Sequence, residues 1–189
     1  EQILVKRVGD GSIIKRFDRT PIPQKKTDVV CPHFLELKWA YGCPYDCAWC
    51  FLKGTLRLLN TKTKPVVKKY GKIERHLESF FRNDGQSGEA LNTGELADSL
   101  MTENTDRPFS RFIIPLFEEQ EHHKVLFLTK STNIRNLVGM RNHTQVIVSF
   151  SLNAPSVARV WERAPSIEKR IEAAKILSEL SYETRVRID

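Results

Sequence analysis

Three cysteines stand close together on one short segment of the chain. Cys43, Cys47 and Cys50 follow the spacing CxxxCxxC, with Trp49 directly before the last of them and Phe51 directly after it. Three thiolates at this spacing can bind three irons of a [4Fe-4S] cluster and leave the fourth iron without a protein ligand. The sequence therefore predicts an iron-sulfur site with one iron open to a reactant.

Two other interpretations of these cysteines compete with the cluster. A disulfide framework is typical of short secreted chains, whereas this chain has four cysteines in 189 residues. A zinc site with Cys31 as fourth thiolate is the stronger alternative, because tetrahedral zinc accepts varied ligand spacing. Zinc sites usually pair two short CxxC-type motifs, but Cys31 lies twelve residues before Cys43. We therefore favour the cluster and keep a zinc-stabilised, basic nucleic-acid-binding module without catalysis as the alternative.

The composition is that of an ordinary globular domain, with 40% hydrophobic and 28% charged residues. No apolar stretch approaches the roughly 20 residues that cross a bilayer. We expect a soluble cytoplasmic protein with no membrane partner, in which thiols stay reduced. The net charge of +7 is compatible with a nucleic-acid partner. The basic residues are spread along the chain, so solvated helix faces explain the charge equally well.

The hydrophobic pattern predicts strands that alternate with helices. The predicted strands are Phe34 to Trp39, Glu89 to Asn92, Lys124 to Thr129, Gln145 to Phe150 and Thr184 to Ile188. The predicted helices are Lys72 to Arg82, Glu95 to Met101, Phe109 to Gln120, Ile134 to Val138 and a helix capped by Ser166, with Ile167, Ile171, Ala174, Ile176 and Leu177 facing inward. Alternation of this kind indicates parallel βα units. We predict an α/β fold, a partial (β/α) barrel with parallel strands and helices outside.

The domain prediction divides the chain in two. Residues 1–30 are predicted to form a basic N-terminal arm with a hairpin turn around Gly9, and residues 31–189 the barrel domain. The βα series ends in its fifth strand, with no helix after it to cover that strand. We therefore expect a truncated barrel that lacks its C-terminal part.

Polar residues follow the predicted strands, at the end of a barrel where ligands bind. These residues are Thr93, Gly94 and Glu95 after the second strand, Lys130 after the third, Ser149, Ser151 and Asn153 at the fourth, and Arg187 and Asp189 at the fifth. Glycine lets the backbone approach a ligand, Glu95 offers a carboxylate to an ammonium group, and Lys130 can reach a carboxylate. A helix cap at Thr93 and an ordinary surface lysine are the alternatives.

The cysteine spacing, with an aromatic residue before the last cysteine, is similar to the signature of the radical S-adenosylmethionine superfamily. The resemblance implies a partial barrel of six βα units, in which the open iron is chelated by S-adenosylmethionine. One electron, from a donor such as flavodoxin or ferredoxin, then cleaves that cofactor to a 5′-deoxyadenosyl radical. It further implies that Thr93, Gly94 and Glu95 meet the amino group of the cofactor. Its carboxylate and ribose would meet Lys130, Ser149 and Ser151, and its adenine Trp49 and Phe51, for which core packing is the alternative.

Further motifs resemble the spore photoproduct lyase family from Phe34 onward. These are Asn92 to Asp98, Thr129 to Ser131, Ser149 to Asn153 and Glu162 to Arg170. The resemblance implies radical repair of a thymine dimer in DNA, with a cysteine as hydrogen donor at the position of Thr93 and tyrosines at the positions of Trp49 and Phe51. A hydroxyl O–H bond is much harder to break homolytically than a thiol S–H bond. We therefore predict a radical enzyme of this family with another substrate or another ending of the reaction.

Overall fold

Six strands form the main sheet in the computed structural model, which describes residues 11–16, 35–58, 64–82 and 88–188. The strands are β1 Ile14–Arg16, β2 Leu35–Leu37, β3 Ala40–Tyr41, β4 Val66–Val67, β5 Ala90–Asn92, β6 Lys124–Thr129, β7 Val146–Leu152 and β8 Glu183–Ile188. The helices are α1 Leu52–Leu58, α2 Tyr70–Phe81, α3 Phe109–Glu118, α4 Arg135–Val138, α5 Pro155–Trp161 and α6 Ile167–Glu179. The order in the main sheet is β1-β2-β5-β6-β7-β8, and β3 pairs with β4 in a second sheet.

Five of the six strands of the main sheet run parallel, from β2 through β5, β6 and β7 to β8. These are the five strands that the sequence predicts, and the α/β prediction is confirmed. Helices α3 and α6 pack on β6 and β7. None of the helices in the described part of the chain is long and apolar enough to span a membrane.

The strand β1 adds to the edge of this sheet, antiparallel to β2. It lies within the segment predicted as an arm, and Ile13 and Ile14 are buried in the core. The domain boundary at residue 30 stays a prediction. The predicted turn at Gly9, together with Cys31 and Asp189, falls outside the described residues.

The two faces of the parallel sheet differ in polarity. In a parallel ladder, paired residues point to the same side, and the pairs Glu36 with Asn92 and Ser151 with Arg187 place polar groups on one face. The other face carries buried apolar residues such as Val125 and Phe127, which belong to the core. The polar face therefore carries the candidate site residues Ser151 and Arg187 at the ends of their strands.

The segment predicted as a helix from Glu95 to Met101 is a series of turns instead. Its polar side chains bind backbone groups. Asp98 accepts from the N–H of Leu100 at 3.0 Å, and Ser99 Oγ accepts from the N–H of Leu128 at 2.9 Å. Such bonds compete with helical hydrogen bonds, which is why the apolar spacing predicted the wrong structure.

Helix α6 presents most of the predicted face to the core, with Ala174 and Ile176 partly buried against it, but Ile171 is not part of that face. Ile167 and Leu177 are buried as predicted, but the inward face continues through Arg170 and Ala173. Ile171 is 51% exposed. An arginine takes an inward position because its guanidinium is paired there with Glu162.

Candidate functional site

The cysteine loop is tied to two other segments of the chain. Gly42 precedes it at φ 81°, a left-handed conformation that favours glycine. The Gly42 N–H donates to the carbonyl oxygen of Leu96 at 2.9 Å, and the Ala48 N–H donates to that of Trp161 at 2.8 Å. The loop therefore lies between the turns after β5 and the end of α5.

A cavity of about 290 Å³ lies between this loop and the ends of the parallel strands. Nine of the eleven residues predicted for the cluster and cofactor line it. They are Cys43, Cys47, Trp49, Cys50, Phe51, Gly94, Glu95, Lys130 and Ser151. Arg187, noted at the end of the fifth strand, lines it as well. The fold brings these residues together, while their roles stay predictions.

The remaining two, Thr93 and Ser149, do not line the cavity. The hydroxyl of buried Thr93 lies 2.8 Å from Ser99 Oγ and 3.0 Å from the carbonyl oxygen of Leu126. The backbone carbonyl of Thr93 accepts from Trp39 Nε1–H at 2.9 Å. Ser149 lies on the same face of β7 as Ser151, but two residues further from the strand end and level with Leu128. The strand pattern placed both residues near the site without showing how far the side chains reach.

Gly94 lies where no larger residue fits. A Cβ atom at this position would stand 2.5 Å from Leu128 Cβ and 2.6 Å from the carbonyl oxygen of Leu128. The Gly94 N–H donates to Asn92 Oδ1 at 2.9 Å. Glycine is needed here for close packing of the β5 end against β6, whether or not a ligand also approaches it.

Glu95 is a buried carboxylate at the cavity wall. Its Oε1 accepts from Asn92 Nδ2 at 2.6 Å, and a guanidinium nitrogen of Arg187 lies 3.6 Å away. An ordered carboxylate facing the cavity can accept hydrogen bonds from an ammonium group.

Lys130, which also lines the cavity, is part of a charged network. Its Nζ donates to Ser151 Oγ at 3.1 Å and to Glu162 Oε1 at 2.9 Å. The second oxygen of Glu162 accepts from Arg170, which is fully buried and also donates to the Ser151 carbonyl at 2.9 Å. From the sequence alone, the Glu162 to Arg170 segment is only a motif that resembles those of the family. The inward turn of Arg170 cannot be read from apolar periodicity.

Asp98 and Tyr45 also line the cavity and were not predicted as site residues. Burial raises the pKa of Asp98, while hydrogen bonds from Lys130 N–H and the Thr129 hydroxyl oppose that rise. Burial, together with the nearby charge of Asp98, raises the pKa of Tyr45 to about 12. The only sequence signal for Asp98 was its place at the end of the motif that begins at Asn92.

The thiols themselves suit a metal cluster. Burial raises the pKa of Cys43 to about 12, and the charge of Asp98 is a smaller cause of the same rise. Burial also raises the pKa of Cys47. A bound cation is therefore what would make these groups thiolates at neutral pH. Among the residues that the structure describes, no three His, Cys, Asp or Glu side chains converge as ligands of a single ion. A cluster distributes three thiolates over three irons, so its ligands need not converge on one ion, and all three thiols line the cavity.

Solved structures share this fold. A spore photoproduct lyase complexed with dinucleoside spore photoproduct matches 89% of the chain at a TM-score of 0.68, with 16% identity over 48% of its own length. A doubly substituted mutant lyase with bound AdoMet (S-adenosylmethionine) and dinucleoside spore photoproduct matches at 0.67, with the same identity and coverage. The fold of the chain is therefore that of spore photoproduct lyase.

Sequence comparison then gives the family. The family model of spore photoproduct lyase matches residues 34–186, and the chain belongs to that family. The spore photoproduct lyase of Clostridium acetobutylicum is 25% identical over 157 residues, which are 79% of this chain and 44% of that protein. The lyase of Bacillus subtilis strain 168 is 23% identical over 150 residues, 77% of this chain and 42% of that protein. The chain thus spans less than half the length of these relatives.

Proposed function

We propose that the chain binds a [4Fe-4S] cluster through Cys43, Cys47 and Cys50 and cleaves S-adenosylmethionine reductively. The observation that carries this proposal is the shared cavity, which is lined by the three thiols and by polar residues from the ends of the parallel strands. When bound, the cluster and S-adenosylmethionine would together supply a 5′-deoxyadenosyl radical. The electron donor is proposed to be a flavodoxin or a ferredoxin in the cytoplasm.

Different residues of the cavity bind different groups of S-adenosylmethionine. Glu95 accepts from the ammonium group, while Lys130 and Ser151 donate to the carboxylate. Trp49 and Phe51 are 41% and 63% exposed, so their rings are available to cover an adenine. The proposal does not extend to the side chains of Thr93 and Ser149, because they do not line the cavity.

We further propose that the radical acts on a substrate other than the spore photoproduct or ends its reaction differently. The solved relatives bind dinucleoside spore photoproduct. In this chain, Trp49 and Phe51 stand where the family resemblance implies tyrosines, and Thr93 where it implies the donor cysteine. The Thr93 hydroxyl is hydrogen-bonded to Ser99 Oγ and to the carbonyl oxygen of Leu126. A nucleic-acid substrate remains compatible with the net charge of +7.

Anaerobic reconstitution with iron and sulfide tests the cluster. The protein should bind about four irons per chain and release 5′-deoxyadenosine from S-adenosylmethionine under dithionite. Separate Cys43→Ala, Cys47→Ala and Cys50→Ala variants should lose both properties, while the matched control Cys31→Ala keeps them. A protein that holds only zinc, and loses it in the Cys31→Ala variant, would instead establish the zinc-stabilised module.

A second experiment tests the substrate. DNA that carries the spore photoproduct should remain unrepaired, even while the reconstituted protein forms 5′-deoxyadenosine. Deuterium transfer between labelled cofactor and repaired DNA would show that this chain performs the reaction of its relatives. That result would remove the proposal of a different substrate and leave the radical chemistry in place.

A further inference from the structure

The backbone of Lys130 is held by a buried carboxylate from a different strand end. Asp98 Oδ2 accepts from the Lys130 N–H at 2.8 Å, and Asp98 Oδ1 accepts from the Thr129 hydroxyl at 2.7 Å. Oδ1 also accepts from the Leu100 N–H at 3.0 Å in its own turn. One carboxylate thus fixes the position of the β6 end relative to the turns after β5.

The ammonium group of Lys130 is held by a second buried carboxylate. Glu162 Oε1 lies 2.9 Å from Nζ, and the Glu162 side chain is completely buried, while that of Lys130 is 16% exposed. Ser151 Oγ also accepts from Nζ, at 3.1 Å. A lysine otherwise loses much rotamer freedom when it binds a ligand, and a lysine that is already ordered loses less.

Glu162 is itself held in place by Arg170. Its second oxygen accepts from Arg170, whose guanidinium also donates to the carbonyl oxygens of Ser151 at 2.9 Å and Pro165 at 2.8 Å. Arg170 is fully buried. Because a buried guanidinium without its carboxylate is unfavourable, Glu162 stays with Arg170 and remains in place to orient Lys130.

We propose that Asp98 and Glu162 are positioning residues for Lys130, and that they hold its ammonium group where it meets the carboxylate of S-adenosylmethionine. The inference rests on the proposed function and deepens it. Neither carboxylate needs to touch the ligand. Asp98 sets the backbone of Lys130, and Glu162, supported by Arg170, sets the direction of its side chain.

The Glu162→Gln variant tests this geometry. A glutamine offers one acceptor oxygen, which Arg170 retains, so the amide NH₂ then faces the Lys130 ammonium and displaces it. Binding is measured by calorimetry on reconstituted protein without reductant. The dissociation constant of S-adenosylmethionine should rise about tenfold. That of 5′-methylthioadenosine, which has no amino-acid part, should stay within about twofold. Exposed Glu168, changed to glutamine, is the matched control and should leave both constants unchanged.

A double-mutant cycle tests whether Glu162 acts through Lys130. Lys130→Met alone should weaken S-adenosylmethionine binding, and Glu162→Gln should add nothing in the Lys130→Met background. If circular dichroism shows that Glu162→Gln does not fold, Asp98→Asn replaces it in the cycle. Asp98→Asn should then likewise add nothing in the Lys130→Met background.

The outcomes separate this inference from the proposed function. Unchanged or tighter S-adenosylmethionine binding in Glu162→Gln would mean that Glu162 has no role or competes with the ligand, and it overturns the inference alone. Equal weakening of both ligands would show a merely structural role and overturns it too. A wild-type protein that binds no S-adenosylmethionine would overturn the proposed function together with the inference.

Discussion

Single atoms decide how closely the chain packs around the cavity. At Gly94 the backbone passes so near Leu128 that a Cβ atom would meet both the side chain and the carbonyl of that residue. A rotamer change cannot relieve this contact, because the neighbouring atoms are the Cβ and the carbonyl oxygen of Leu128, which are fixed by the backbone of β6. The strand ends that form the site would have to separate for any larger residue.

We expect Gly94→Ala to lower the free energy of unfolding by about 1–3 kcal/mol, as overpacking does. The matched control is Gly71→Ala on α2, where a Cβ would meet nothing within 4 Å. That variant should be unchanged or more stable by up to about 1 kcal/mol, since alanine favours helix. Urea unfolding measures both. Equal stability of the two variants would contradict the close approach at Gly94.

The turns between β5 and α3 contribute residues to the cavity lining and bind the end of β6. Their polar side chains bind the backbone of β6 and of the turns themselves in place of a helix. Ser99 is fully buried, and its Oγ accepts from the Leu128 N–H and lies 2.8 Å from the Thr93 hydroxyl. This hydroxyl joins the turns to both β5 and β6.

Ser99→Ala should therefore destabilise the protein by about 1–3 kcal/mol, because it leaves the part-buried Leu128 N–H without this acceptor. Ser178→Ala, on the exposed side of α6, removes the same hydroxyl from a solvated position and should change stability by less than about 0.5 kcal/mol. Thermal or urea unfolding of the two variants in parallel checks this. A Ser99→Ala protein as stable as Ser178→Ala would show that the turns do not rely on this bond.

At the scale of the whole molecule, the sheet has an apolar, exposed edge. Of the described strands, β8 is the last in the sheet, and it presents Val186 and Ile188 at 58% and 74% exposure. An edge strand offers unpaired backbone groups to another chain, and exposed apolar side chains add to that tendency. We expect a protein made of residues 1–189 alone to self-associate through this edge.

Ile188→Lys should reduce this self-association without lowering stability, because the isoleucine side chain is exposed and a charged edge resists pairing. Ser178→Lys adds the same charge on α6 and should leave association unchanged. Light scattering over a range of protein concentrations measures the effect. If both variants associate as the wild type does, the edge of β8 is not the contact.

The cysteine loop and the five parallel strands were predictable, because each rests on a local pattern of residue types along the chain. The turns from Glu95 to Met101 were predicted wrongly, since the partners of Asp98 and Ser99 lie on β6, about thirty residues away. Glu162 and Arg170 were not predicted as site residues for the same reason. Their importance lies in a pairing with Lys130 that no local pattern encodes.

By itself the sequence predicted three cysteines as cluster ligands and determined the parallel βα character of the fold, because cysteine spacing and apolar periodicity are properties of neighbours along the chain. Only the tertiary structure decided which polar residues reach the cavity. It turned Thr93 inward and Lys130 toward Glu162, and it buried Arg170 beneath the site. The physical reason is that buried polar groups must find hydrogen-bond partners, and those partners come from distant segments that meet only when the sheet forms.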